Sequence, residues 1–280
     1  MKAKLKMNNF IVRTLSGAVY LLVILAALLI NGTVFTAVVM LFTAVMLLEF
    51  INMTAPGLPL KGKIAAIAAA LAAIALVYAN RALGLPAEYV SLAVLPILCL
   101  VALVFADMKV EMRSVSGVFA GLLYIGVPMA LSPLLAYRSG SFEGLPILGF
   151  FILIWASDIG AYCIGTAFGQ KEGSRKLCPA ISPLKSWAGF WGGLSVCCIA
   201  AAALSFTPLL PYPILHCIGL GVLIHLCCVM GDLFESRWKR EAGVKDSGNI
   251  IPGHGGLLDR LDSTLAAMPA AAVYLVIFNL

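Results

Sequence analysis

Apolar residues along this chain come in long blocks rather than in stripes. Runs of about 17–22 residues rich in Ala, Leu, Ile and Val alternate with short polar breaks, and each run is long enough to cross a hydrocarbon core as a helix. The pattern predicts nine transmembrane helices, over residues 15–31, 34–53, 64–80, 89–106, 116–136, 146–168, 187–206, 213–234 and 261–279. Connections are short except at 169–186 and 235–260. No internal repeat is visible. The chain therefore reads as one all-α, polytopic membrane domain over 1–280, with N-terminal spans in 1–145 and the remaining spans and polar loops in 146–280. The first run has the charged start and apolar centre of a secretory signal, but a second run follows at once without a convincing cleavage site. An uncleaved first span is expected.

Composition agrees with that reading. Of 280 residues, 62% are hydrophobic and only 11% charged, against roughly 25% charged in a soluble domain. The net charge of +6 could suggest nucleic acid, but the basic residues sit in short clusters between apolar runs, as membrane topology requires. No nucleic-acid partner is expected. With the N-terminus in the cytoplasm, the inner side collects 17 of the 19 Lys and Arg residues, and only Arg81 and Arg138 fall outside. Both long polar loops then face the cytoplasm. The eight cysteines lie mostly inside apolar runs, where Cys acts as a small hydrophobe, and they form no CxxC pair.

Against this background, the polar residues are few and concentrated. Glu49, Asp158 and Asp232 lie in or at the ends of apolar spans, where a carboxylate costs about 2.5–3.5 kcal/mol at the helix centre. Glu49 reads equally well as an interfacial helix end. Around Asp232 the helical pattern continues past the membrane, so that Asp232, Glu235, Ser236 and Lys239 share one face. An acid, a hydroxyl and a base on one stripe suit a metal-bound phosphate. The segment "KDSGNIIPGHGGLLDRLDS" over 245–263 supplies the other half. Its Pro-Gly-His-Gly-Gly loop exposes backbone N–H groups and runs into the last helix, whose N-terminus attracts anions. Asp259 and Asp262 share a face of that helix and would repel a phosphate unless a divalent cation lay between.

Residues 236–262, "SRWKREAGVKDSGNIIPGHGGLLDRLD", resemble the C-terminal motif of the phosphatidate cytidylyltransferases (CDP-diacylglycerol synthases). Ser236, Lys239, Arg240, Lys245, Asp246, Pro252, His254, Gly255, Gly256, Asp259, Arg260 and Asp262 all match, while Trp238 stands where an aliphatic residue is usual. "SDIGAYCIGTAFGQ" (157–170) and "ISPLKSWAGFWGG" (181–193) resemble two further family blocks, with Leu184 and Ala188 departing from the usual residues. The second replaces a glutamate. The resemblance is at motif level across 157–263.

What it implies is a membrane enzyme that joins CTP and phosphatidate to give CDP-diacylglycerol and diphosphate in phospholipid synthesis, with membrane lipids around it. The implied metal is Mg²⁺, alone or with a second cation, held by Asp232 and Asp259 with Asp246 and Asp262 in support. Lys239, Arg240, Lys245 and Arg260 would neutralise phosphate charge, and His254 would be a hydrogen-bond partner rather than a base. Asp158, Tyr162, Ser182, Lys185, Ser236, Gly255 and Gly256 would bind substrate. His216 and His225, inside a span, are expected to be packed. The resemblance also implies a homodimer in a bacterial inner (plasma) membrane with its active face cytoplasmic. A CTP-dependent lipid kinase would need similar residues but would release CDP. A secondary transporter would more often place its charge near the bilayer midplane and show inverted repeats.

Overall fold

The computed structural model describes residues 2–93 and 111–280, with side chains for 11–92 and 111–280. Eight helices in it are long and apolar enough to cross a membrane. They are α1 Lys2–Leu29, α2 Gly32–Thr54, α3 Leu60–Leu83, α4 Met112–Ala136, α5 Gly144–Phe168, α6 Trp187–Leu204, α7 Ile214–Glu241 and α8 Leu258–Ile277. Eight of the nine expected spans thus form as helices, and the protein is an all-α polytopic membrane protein. Of the ninth, 89–106, the first residues belong to a short 3₁₀ turn, Ala87–Ala93, and residues 94–106 lie outside the described residues. The chain divides into two compact units: one of Met1–Gly144 with Ala242–Leu261, the other of Leu145–Glu241 with Asp262–Leu280.

In the first unit, α2 is the central helix. Asn31 caps it, its side-chain oxygen accepting from the Val34 N–H at 2.9 Å, which satisfies one of the orphan donors of a helix start. Met46, Leu47, Phe50 and Ile51 are fully buried. The hydroxyls of Thr36 and Thr43 donate to the Gly32 and Val39 carbonyls four residues back, so they need no water inside an apolar segment. In α3, Ala66, Ala69, Ala70 and Ile74 are buried; small side chains of this kind let membrane helices approach closely. A single π turn, Leu122–Gly126, interrupts α4.

The second unit is built around α6 and α7, its most extensively packed pair. Cys197 and Cys217 are buried between apolar neighbours, and the Cys197 thiol donates to the carbonyls of Leu153 and Gly221. Histidines 216 and 225 are packed, as their place in a span suggests. His225 Nδ1 pairs with Ser157 Oγ at 2.8 Å, and His216 Nδ1 with Tyr274 OH at 3.2 Å. Part of the 169–186 connection is a small antiparallel ribbon, β1 Lys176–Cys178 against β2 Ser182–Ser186. Ser186 ends the ribbon and caps α6, accepting from the Gly189 N–H at 3.1 Å.

Candidate active site

The motif residues fall into two groups, one in each unit. In the second unit, α7 carries Asp232, Ser236 and Lys239 on one face, as the spacing predicts. Ser236 Oγ donates to Asp232 Oδ1 at 3.2 Å, and Lys185, at the end of β2, reaches Asp232 Oδ2 at 2.5 Å. Lys239 pairs at 2.6 Å with Glu235, and both are buried. Breaking such a buried pair costs about 3–5 kcal/mol. Arg240 Nε donates to the Ile181 carbonyl, which ties α7 to the ribbon.

Gly231 explains how α7 and α8 come together at this point. A Cβ there would lie 2.6 Å from the Asp262 carbonyl oxygen, so only glycine permits this backbone contact. Asp232 and Asp262 therefore stand on adjoining turns of two touching helices. Asp262 feels the charges of Asp232, Asp158 and Lys239, and its Oδ1 accepts from the Ser263 N–H at 2.7 Å. Tyr162 and Asp158 are exposed on α5, and Ser182 is half-buried in the ribbon.

In the first unit, the 245–258 loop is held by two carboxylates. Asp259 Oδ2 accepts from the Ser247 N–H (2.9 Å), Ser247 Oγ (3.1 Å) and the Gly256 N–H (2.8 Å). Glu49, 5% exposed on α2, accepts from the N–H groups of Leu257 (3.1 Å) and Leu258 (2.9 Å) and from Ser247 Oγ (3.4 Å). The N–H groups that the sequence offers to a phosphate at the start of α8 are thus engaged by the chain's own carboxylates. Gly256 fits here because a Cβ would run into Ser247 and Glu49. Gly255 has a φ of 89°, in the left-handed region that glycine adopts without strain.

The loop closes on itself through Ile251 N–H to the Gly255 carbonyl, 3.0 Å, and Arg260 Nη2 to the His254 carbonyl, 2.9 Å. Ser16 on α1 meets His254 Nδ1 at 2.9 Å and the Pro252 carbonyl at 2.9 Å. Burial, followed by the Arg260 and Arg13 guanidiniums, holds the His254 imidazole below its ordinary value, so it is neutral near pH 7. Arg13, Lys245, Asp246, Asn249, His254 and Arg260 surround a cavity of about 430 Å³. Arg13, Ser16 and Glu49 are the residues the sequence reading did not assign to a site. Glu49 gave one signal, a carboxylate inside an apolar run.

Among the described residues, no three His, Cys, Asp or Glu side chains are gathered closely enough to hold a metal ion by themselves. That donor set still suits Mg²⁺, which is usually held by one or two carboxylates plus substrate phosphates rather than by an all-protein cage. Asp232 and Asp262 are such a pair.

Residues 11–278 match the profile of the cytidylyltransferase family. The chain is 47% identical over 142 residues to a phosphatidate cytidylyltransferase of Haemophilus influenzae, covering 48% of this chain and 46% of that protein. It is 44% identical over 130 residues to one of Pseudomonas aeruginosa and 41% over 128 residues to one of Bacillus subtilis, each match covering 46% of both chains. The chain spans about half the length of these relatives in the match.

Proposed function

This chain belongs to the cytidylyltransferase family, and from that premise we propose that it transfers the cytidylyl group of CTP to phosphatidate. An oxygen of the phosphatidate phosphate attacks the α-phosphorus of CTP. One P–O bond forms, the α–β P–O bond breaks, and diphosphate leaves with the electron pair. The attacking oxygen is already ionised near pH 7, so no strong general base is required. The barrier is dominated by bringing anions together, and fixed positive charge lowers it.

The observation that carries this reading is the segregation of polar side chains in an otherwise apolar chain. Lys185 and Lys239 stand with Asp232, Ser236 and Asp262 in one unit. In the other, Lys245, Arg260 and a neutral His254 stand on a carboxylate-braced loop. The lysines and arginines, Arg240 included, neutralise phosphate oxygens. His254 accepts or donates a hydrogen bond without carrying charge. Asp158, Tyr162, Ser182 and Gly255 contact substrate. Mg²⁺ would be held by Asp232 and Asp262 and would supply charge neutralisation at the polyphosphate. The distribution of Lys and Arg supports cytoplasmic loops, and the family resemblance supports a bacterial inner membrane and a homodimer.

Purified protein given CTP, phosphatidate and Mg²⁺ should form CDP-diacylglycerol, identified by its mass. A lipid carrying one added phosphate, with CDP released, would instead assign a lipid kinase.

A further inference from the structure

Arg13 entered the sequence reading only as a topological charge, yet it lines the cavity formed with the 245–258 loop. It lies just before the first apolar run, 15–31, on a helix whose next turn is tied to that loop through Ser16. The fit is close: a Cβ at Gly253 would lie 2.5 Å from Arg13 Cγ, and Gly253 has a φ of 76°. Around the cavity, Arg13, Lys245 and Arg260 face a single carboxylate, Asp246. Arg13, His254 and Arg260 line the same cavity, and Arg260 donates to the His254 carbonyl. Three cations and a neutral imidazole around one small polar cavity match a phosphate monoester in charge and in hydrogen-bond donors.

We infer that this cavity is the subsite for the phosphate of the lipid substrate and that Arg13 is a binding residue for it. Position decides between the two phosphate sources of the proposed reaction. A nucleotide arrives from water and needs no contact at a membrane helix end. A lipid phosphate lies at the headgroup level, the depth at which Arg side chains at span ends also rest. Arg13 sits two residues before the first apolar run, 15–31, and the loop packs against its side chain. The lipid phosphate is then held by α1, which precedes all the motif residues in the chain.

The inference rests on the proposed reaction for the identity of the lipid, but its test does not require turnover. Binding of dioctanoyl phosphatidate, dioctanoylglycerol and CTP to the detergent-solubilised full chain is measured by titration calorimetry. Wild type should bind dioctanoyl phosphatidate far better than dioctanoylglycerol, which lacks the phosphate. Arg13→Gln should weaken phosphatidate binding about tenfold or more, as loss of a charge-assisted contact does, and leave CTP within about twofold. Arg13→Lys should fall between wild type and Arg13→Gln. Lys245→Gln, at an exposed position on the same rim, should weaken phosphatidate in the same way and gives a second reading if Arg13→Gln does not fold. Unchanged phosphatidate affinity in these variants would overturn the inference. So would loss of CTP affinity instead, which would give the cavity to the nucleotide. Arg13-dependent phosphatidate binding in a protein that makes no CDP-diacylglycerol would refute the reaction and uphold the subsite.

Discussion

Glu49 is the residue whose role differs most from its sequence context. It is buried in the apolar helix α2 and accepts the N–H groups of Leu257 and Leu258, at the start of α8, and a loop hydroxyl. A carboxylate at a helix N-terminus is favourable through both the hydrogen bonds and the dipole. Glu49→Ala should leave these buried donors without an acceptor, at a cost on the order of 3 kcal/mol. Hydrogen exchange is the direct check: the amides of Leu257 and Leu258 should exchange faster in Glu49→Ala than in wild type. Glu49→Gln should be intermediate, because an amide keeps one acceptor oxygen. Equal exchange in all three proteins would show that the loop does not depend on Glu49. Sequence alone exposed the oddity of this carboxylate but not its partner, since the hydrogen bond joins residues 208 positions apart.

Among the elements, the helices were the most legible. Length and hydropathy are local properties, and the expected spans at 34–53, 146–168 and 187–206 match α2, α5 and α6 to within a few residues. The extension of α7 to Glu241 was legible too, because Asp232, Ser236 and Lys239 keep helical spacing. The β-ribbon was not, since it is short and its strands contain Pro183 and little alternation. The α7–α8 contact was also hidden, since glycine is common in membrane helices and nothing local distinguishes Gly231 from its neighbours. Gly231→Val should force the two backbones apart and separate Asp232 from Asp262. We expect a stability loss of about 1–3 kcal/mol, as for other overpacked sites, and loss of most activity with helix content unchanged. Thermal unfolding and circular dichroism in detergent, beside the activity assay, check this. A Gly231→Val protein as stable and active as wild type would show that the close approach is dispensable.

For the whole molecule, topology is the strongest expectation drawn from the sequence that the helices alone do not fix. The eight described spans together with a crossing at 89–106 would put the two ends of the chain on opposite sides, and the resulting split of 17 basic residues to 2 would put the N-terminus in the cytoplasm. A reporter fused after Leu280 should therefore lie outside the cytoplasm, and reporters in 169–186 and 242–257 inside. A cytoplasmic C-terminus would mean that 89–106 does not cross. The division of labour among the residues depends in turn on the reaction. CTP labelled in its α-phosphate or in its γ-phosphate, given to the purified protein with phosphatidate and Mg²⁺, distinguishes the possibilities directly. Cytidylyl transfer predicts that α-label appears in the lipid and γ-label in diphosphate. The γ-label in the lipid, or no lipid labelling from the α-position, would contradict it.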